Sequence, residues 1–235
     1  MNDERAEHVT PMSAAERQAT ADVLTTEYGM LMSALSSAWT ASLTRTSLFL
    51  GVLSAAGVGF GLAAQGGVDL SSVPALALVV LVLILFLGVA TFVRLVQVQR
   101  ESLVYIVGMN RIRGFFQETA PASRPFFVLP AHDDTAALYR SVGTGMLLRQ
   151  PRFELLHLTV QTQGIVGIVT AAVAAACAGL AVAGAGPTVM WIAASAGFVV
   201  TVVTLFLYWG RSIADIRRAI TPLRPTPSDE LDAPI

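Results

Sequence analysis

His132, Asp133 and Asp134 place an imidazole beside two carboxylates, the combination most suggestive of chemistry in this chain. Such a trio can contribute to a divalent-metal site, with further ligands drawn from elsewhere and with His8 and His157 as the only other histidines. Adjacent Asp residues also cap helices, and Asp133 or Asp134 accepting from the first turn of a helix that starts at Thr135 is the expected role. No metal or other cofactor is expected.

A second pattern lies far upstream. Ser33, Ser37, Thr40, Thr44, Ser47, Gly51 and Ser54 step by four and three, so small and hydroxyl-bearing side chains share one stripe of a helix. A ring of such helices would present a mildly polar, uncharged wall to water or ions. Close packing of helices is the alternative and the preferred reading, and Gly57 and Gly61 would serve it too. A third group, Arg94, Arg100, Arg111 and Arg113, can meet anionic lipid headgroups just inside a membrane. The plainer reading, again preferred, is that these arginines set topology and pair with Glu101 and Glu118.

Several chemistries have no residues to support them. The apolar spans identified below contain no Asp, Glu, His, Lys or Arg, which disfavours proton relays, ion coupling and intramembrane catalysis. There is no phosphate-binding glycine loop, metalloprotease helix motif or serine elbow. A single cysteine, Cys177, precludes an intramolecular disulfide or a Cys-based cluster. The chain is not expected to be an enzyme, and nucleic acid is not an expected partner.

The elements that must position these residues are long apolar helices. With 54% hydrophobic and 13% charged residues, the composition is that of a membrane protein. Residues 1–12 read as a disordered tail. Ser13-Ala-Ala-Glu16 is a capping box that opens one continuous helix to Ala64. Within it, residues 13–45 form an amphipathic section whose Leu24, Tyr28, Leu31, Leu35 and Ala38 make a seam for a partner helix. Residues 46–64 form an uncharged first span about 28 Å long.

A turn-rich loop leads to Pro74 and a bulky second span at 75–93. Because its residues are large and those of the first span small, the first is expected to be the inner helix and the second to face lipid. The helix is expected to continue to about Glu118 and to dock on the 13–45 section. The 94–163 region carries Phe126 to Leu129 as a short strand or interfacial anchor, one helix within Asp134 to Leu148, and a helix from about Phe153 into the third span. That span, 164–185, has small residues at Ala171, Ala175, Gly179 and Ala183. A Gly186-Pro187 turn opens the fourth span, 188–209, with Trp191 at one end and Tyr208 and Trp209 at the other as an aromatic belt. Residues 210–235 read as a short arginine-bearing helix and a disordered tail from Thr221.

All fifteen basic residues are Arg: three before the first span, eight at 94–152 and four after the fourth span, with none in the two short loops. The positive-inside rule therefore makes both termini and the middle region cytoplasmic. The expected fold is an all-α membrane protein of four transmembrane helices arranged as two hairpins with cytoplasmic helical extensions, in a bacterial plasma membrane. Its expected partners are the bilayer and either a second copy of itself or another membrane protein. Two functions compete: a non-enzymatic scaffold or accessory subunit acting through its cytoplasmic helices, and a small homo-oligomeric ion channel lined by the first helix.

Overall fold

The capping box forms as its spacing dictates. In the computed structural model the Ser13 N–H donates to Glu16 Oε2 at 2.8 Å and the Glu16 N–H to Ser13 Oγ at 3.2 Å. From there α1, Ala14–Gln65, runs for 52 residues. It is followed by α2, Pro74–Thr119 (46 residues), a 3-10 turn at Pro121–Phe126, and α3, Thr135–Ser141. Then come α4, Thr162–Ala181, a second 3-10 turn at Ala183–Ala185, and α5, Pro187–Ala219. The structure describes residues 12–66, 74–141 and 161–227. All regular structure among the described residues is helical, and α1, α2, α4 and α5 are each long and apolar enough to cross a membrane.

α2 is the central helix: it packs against α1, α4 and α5, and α4 packs in turn on α5. The shared core joins Phe49 of α1 to Ile84, Phe92, Leu95 and Val96 of α2, Val166 and Val173 of α4, and Leu205 and Trp209 of α5. Along α1 and α2 the contacts pair Tyr28 with Arg113, Leu31 with Gly108 and Phe49 with Gly88, so the two helices run antiparallel. The seam Leu24, Tyr28, Leu31, Leu35, Ala38 is the half-buried face of α1, and it continues through Ser42, Thr46 and Phe49, all buried.

The expectation that the first span is the inner helix is corrected. Gly51, Gly57, Gly59 and Gly61 of α1 have open space where a Cβ would stand, and the span section of α1 is largely exposed. The small residues that admit a close neighbour lie instead on α4, where Gly164, Gly167, Ala171, Ala174 and Gly179 are buried. A Cβ on Gly88 of α2 would fall 2.6 Å from Thr170 Oγ1 and 3.0 Å from the Phe49 ring, so α1, α2 and α4 meet there only because that position is Gly. One on Gly197 of α5 would fall 2.9 Å from Ala178 Cβ. α2 turns its other face outward, with Leu83 and Phe86 exposed.

Other boundaries shift for local reasons. α4 ends at Ala181 rather than running to Ala185, and Gly186, at φ 101°, makes the turn into α5 that a side chain would resist. Arg211, Arg217 and Arg218 are on α5 itself, not on a separate short helix. Phe126 ends a 3-10 turn and Phe127 to Leu129 form no strand; Phe126 and Val128 are left exposed. The helix expected from Phe153 and the far half of the one expected up to Leu148 lie outside the described residues, as do residues 1–11 of the expected N-terminal tail and most of the 65–73 loop.

Candidate functional site

Two arrangements bear on function: a polar junction where α2 ends, and the free face of α1.

The junction is built on Asp133, which is fully buried. Its Oδ2 accepts from Arg111 Nε at 2.7 Å and from the Leu223 N–H at 2.9 Å, and its Oδ1 from the Arg224 N–H at 2.8 Å. The Asp133 N–H returns a bond to the Arg224 carbonyl at 3.2 Å, and Arg111 Nη2 reaches the Thr221 carbonyl at 3.0 Å. Asp134 caps α3 as expected, accepting from the Ala137 N–H at 2.9 Å. It also accepts from the Thr226 N–H at 2.7 Å and the Thr226 hydroxyl at 2.9 Å. Burial alone would raise both carboxyls, but the donors converging on them outweigh it, and both are held below the usual carboxylate range.

Thr221 to Thr226 is therefore no loose tail, which corrects that part of the disordered tail expected from Thr221; residues 228–235 lie outside the described residues. Arg224 adds an ion pair to Glu118 at 2.9 Å and packs over Gly114, where a Cβ would collide with its guanidinium. Beside it, Asn110 Nδ2 donates to the His132 carbonyl at 2.9 Å and to Ser141 Oγ at 3.2 Å. Arg113, buried, donates to Asn110 Oδ1 and to the Tyr28 hydroxyl at 2.8 Å, and its guanidinium lies 5.5 Å over the Tyr28 ring. Both carboxylates of the His132-Asp133-Asp134 run are thus committed to bonds within the chain. Among the described residues no three His, Cys, Asp or Glu side chains converge for a metal.

The four arginines separate. Arg94 pairs with Glu101 at 3.2 Å; Arg111 and Arg113 belong to the junction; Arg100 alone lines a cleft against α5. Glu118, expected to pair with one of them, pairs with Arg224 instead. Trp209, expected in an aromatic belt, turns inward and donates from Nε1 to Gln99 at 2.6 Å, whereas Trp191 and Tyr208 stay exposed.

The stripe on α1 stays together and faces away from the other helices: Ser33, Ser37, Thr40, Thr44, Ser47, Gly51 and Ser54 are all exposed. Thr40 and Thr44 donate to the carbonyls four residues back, at 3.0 Å each. Ser47 and Ser54 have no hydrogen bond among the described residues. A groove of about 680 Å³ follows the stripe past Thr40, Thr44, Ser47 and Gly51. A second, of about 760 Å³, runs between it and Leu87, Ala90 and Thr91 of α2.

No known protein family, curated protein or solved structure matches this chain. The sequence signalled the cap at Asp134 through its place before Thr135. It carried no signal for the docking of Thr221 to Thr226, because backbone N–H groups supply most of those bonds. Tyr28 was legible as a seam residue but not as the partner of Arg113.

Proposed function

We propose that this protein is a non-catalytic membrane scaffold or accessory subunit that assembles with further copies of itself through α1. In this reading the four apolar helices form two transmembrane hairpins in a plasma membrane, with both termini and the polar junction on the cytoplasmic side. The sections of α1 and α2 beyond the spans then form a two-helix platform. The junction around Asp133 fixes that platform to the end of α5.

One observation carries the proposal: α1 is partnered along a single face, and the opposite face carries the small, hydroxylated stripe, flanked by exposed Leu43, Leu48 and Val52. Surfaces of this kind let helices approach closely in lipid and hydrogen-bond across the contact. Ser47 and Ser54 in particular carry hydroxyl groups that can donate across such a contact to a neighbouring helix. The test is disulfide cross-linking in native membranes with Ser47→Cys in a Cys177→Ser background. A band at twice the chain mass is expected; an unchanged single-chain band under oxidant refutes self-assembly through this face.

The same exposed, uncharged stripe supports a second reading, a homo-oligomeric channel with Ser47 and Ser54 on its wall. Ion flux in liposomes that falls when Ser47 and Ser54 are changed to Leu favours the channel. Absent flux, or flux indifferent to those changes, removes it.

A further inference from the structure

Between α2 and the last turns of α5 lies a cleft of about 440 Å³ lined by Arg100, Thr204, Tyr208, Arg211, Ser212 and Asp215. Its two arginines differ from their neighbours on α2. Arg94 has Glu101, Arg111 has Asp133, and Arg113 has Asn110 and Tyr28, whereas Arg100 and Arg211 have neither a hydrogen bond nor an ion pair among the described residues. Ser212 is only 6% exposed, and its hydroxyl is shut off from water with no hydrogen-bond partner. Two free guanidiniums and an unused buried hydroxyl are a donor set without an acceptor.

The acceptor such a set suits is a phosphate, whose oxygens match the planar fork of Arg. Its charge follows from the lining. Asp215 offsets one of the two arginines, and the remaining single positive charge balances a phosphodiester, not the roughly −1.5 to −2 of a phosphomonoester. Its setting follows from depth. Thr204 and Leu207 belong to the fourth apolar stretch, while Arg211, Ser212 and Asp215 lie just past its end, so the cleft straddles the boundary between apolar and polar chain. Val200, Val203 and Leu207, at steps of three and four, form an exposed apolar track leading up to it.

We infer that this cleft holds a membrane phospholipid. Its phosphodiester accepts from Arg100, Arg211 and the Ser212 hydroxyl, an acyl chain lies along Val200, Val203 and Leu207, and Asp215 meets a hydroxyl or ammonium of the headgroup. The inference is independent of whether α1 self-assembles.

The test uses the full chain in detergent, with phosphatidylglycerol binding followed by native mass spectrometry and thermal unfolding. The wild type is expected to bind one tightly held lipid and to melt at a higher temperature with it. The double variant Arg100→Gln/Arg211→Gln is expected to lose at least about tenfold in affinity, since it removes both charge-assisted donors to the phosphodiester. Ser212→Ala, which removes a hydroxyl bonded to nothing in the fold, is expected to lose about two- to tenfold. Arg94→Gln, outside the cleft, is expected to leave binding unchanged. Lipid binding that is equal in wild type and double variant, with helicity retained in both, overturns the site. Protection by inorganic phosphate alone, equal to that by the lipid, overturns the lipid as its source.

Discussion

At Asp133 one carboxylate ties together three stretches of chain remote in sequence: α2 through Arg111, the segment before α3, and residues 221–226. Replacing it with Asn keeps the volume but turns an amide NH₂ toward donors. The expected cost is about 1–3 kcal/mol, the penalty for leaving buried donors without an acceptor. Hydrogen exchange should report it locally, as faster exchange at the amides of Leu223 and Arg224, while Thr226, held by Asp134, changes less. The same amides carry a pH dependence. Both Asp133 and Asp134 have carboxyls lowered in the folded chain, so their contribution is fully present above the ordinary value near 4 and is lost as pH falls through the lower folded values. Protection of these amides, taken relative to the intrinsic exchange rate at each pH, should therefore hold down to about pH 4 and be lost only below it. Loss of protection near pH 6 would contradict the assignment.

At the scale of helices, two sets of glycines make opposite predictions. Gly88 sits where α1, α2 and α4 meet, and Gly88→Val would press into Thr170 and Phe49. Overpacking of this kind costs about 1–3 kcal/mol, read as a lower melting temperature in detergent. Gly51 has no neighbour to meet, so Gly51→Leu should leave the melting of the single chain unchanged and act on assembly alone. This contrast also shows what the sequence could and could not reveal. The seam from Leu24 to Ala38 was legible because heptad spacing fixes a helix face regardless of partner. The choice of inner helix was not, because side-chain size says that a close neighbour is possible without saying which helix supplies it. On α4 the small residues are filled by Phe92, Met190 and Ala194; on α1 they face outward. The stripe from Ser33 to Ser54 was visible as a pattern, and only the packing of the other three long helices shows it to be the face left over. The role of Asp133 was hidden because its partners are backbone N–H groups 90 and 91 residues away, which leave no mark on side-chain periodicity.

For the whole molecule, the proposed topology follows from uncharged spans and from arginines gathered in three of the five polar segments. A reporter fused after Ile235 should be active only in the cytoplasm, and a cysteine placed in the 65–73 loop should react with impermeant reagents from outside. The proposed function adds that the molecule is incomplete as a single chain, because its longest helix buries one face and leaves a hydroxylated one in the bilayer. Counting chains per particle in lipid bilayers by stepwise photobleaching tests this most directly. The account predicts more than one step for the wild type and a single step for Ser47→Leu/Gly51→Leu. A single step for the wild type at membrane densities matching the native level would contradict it.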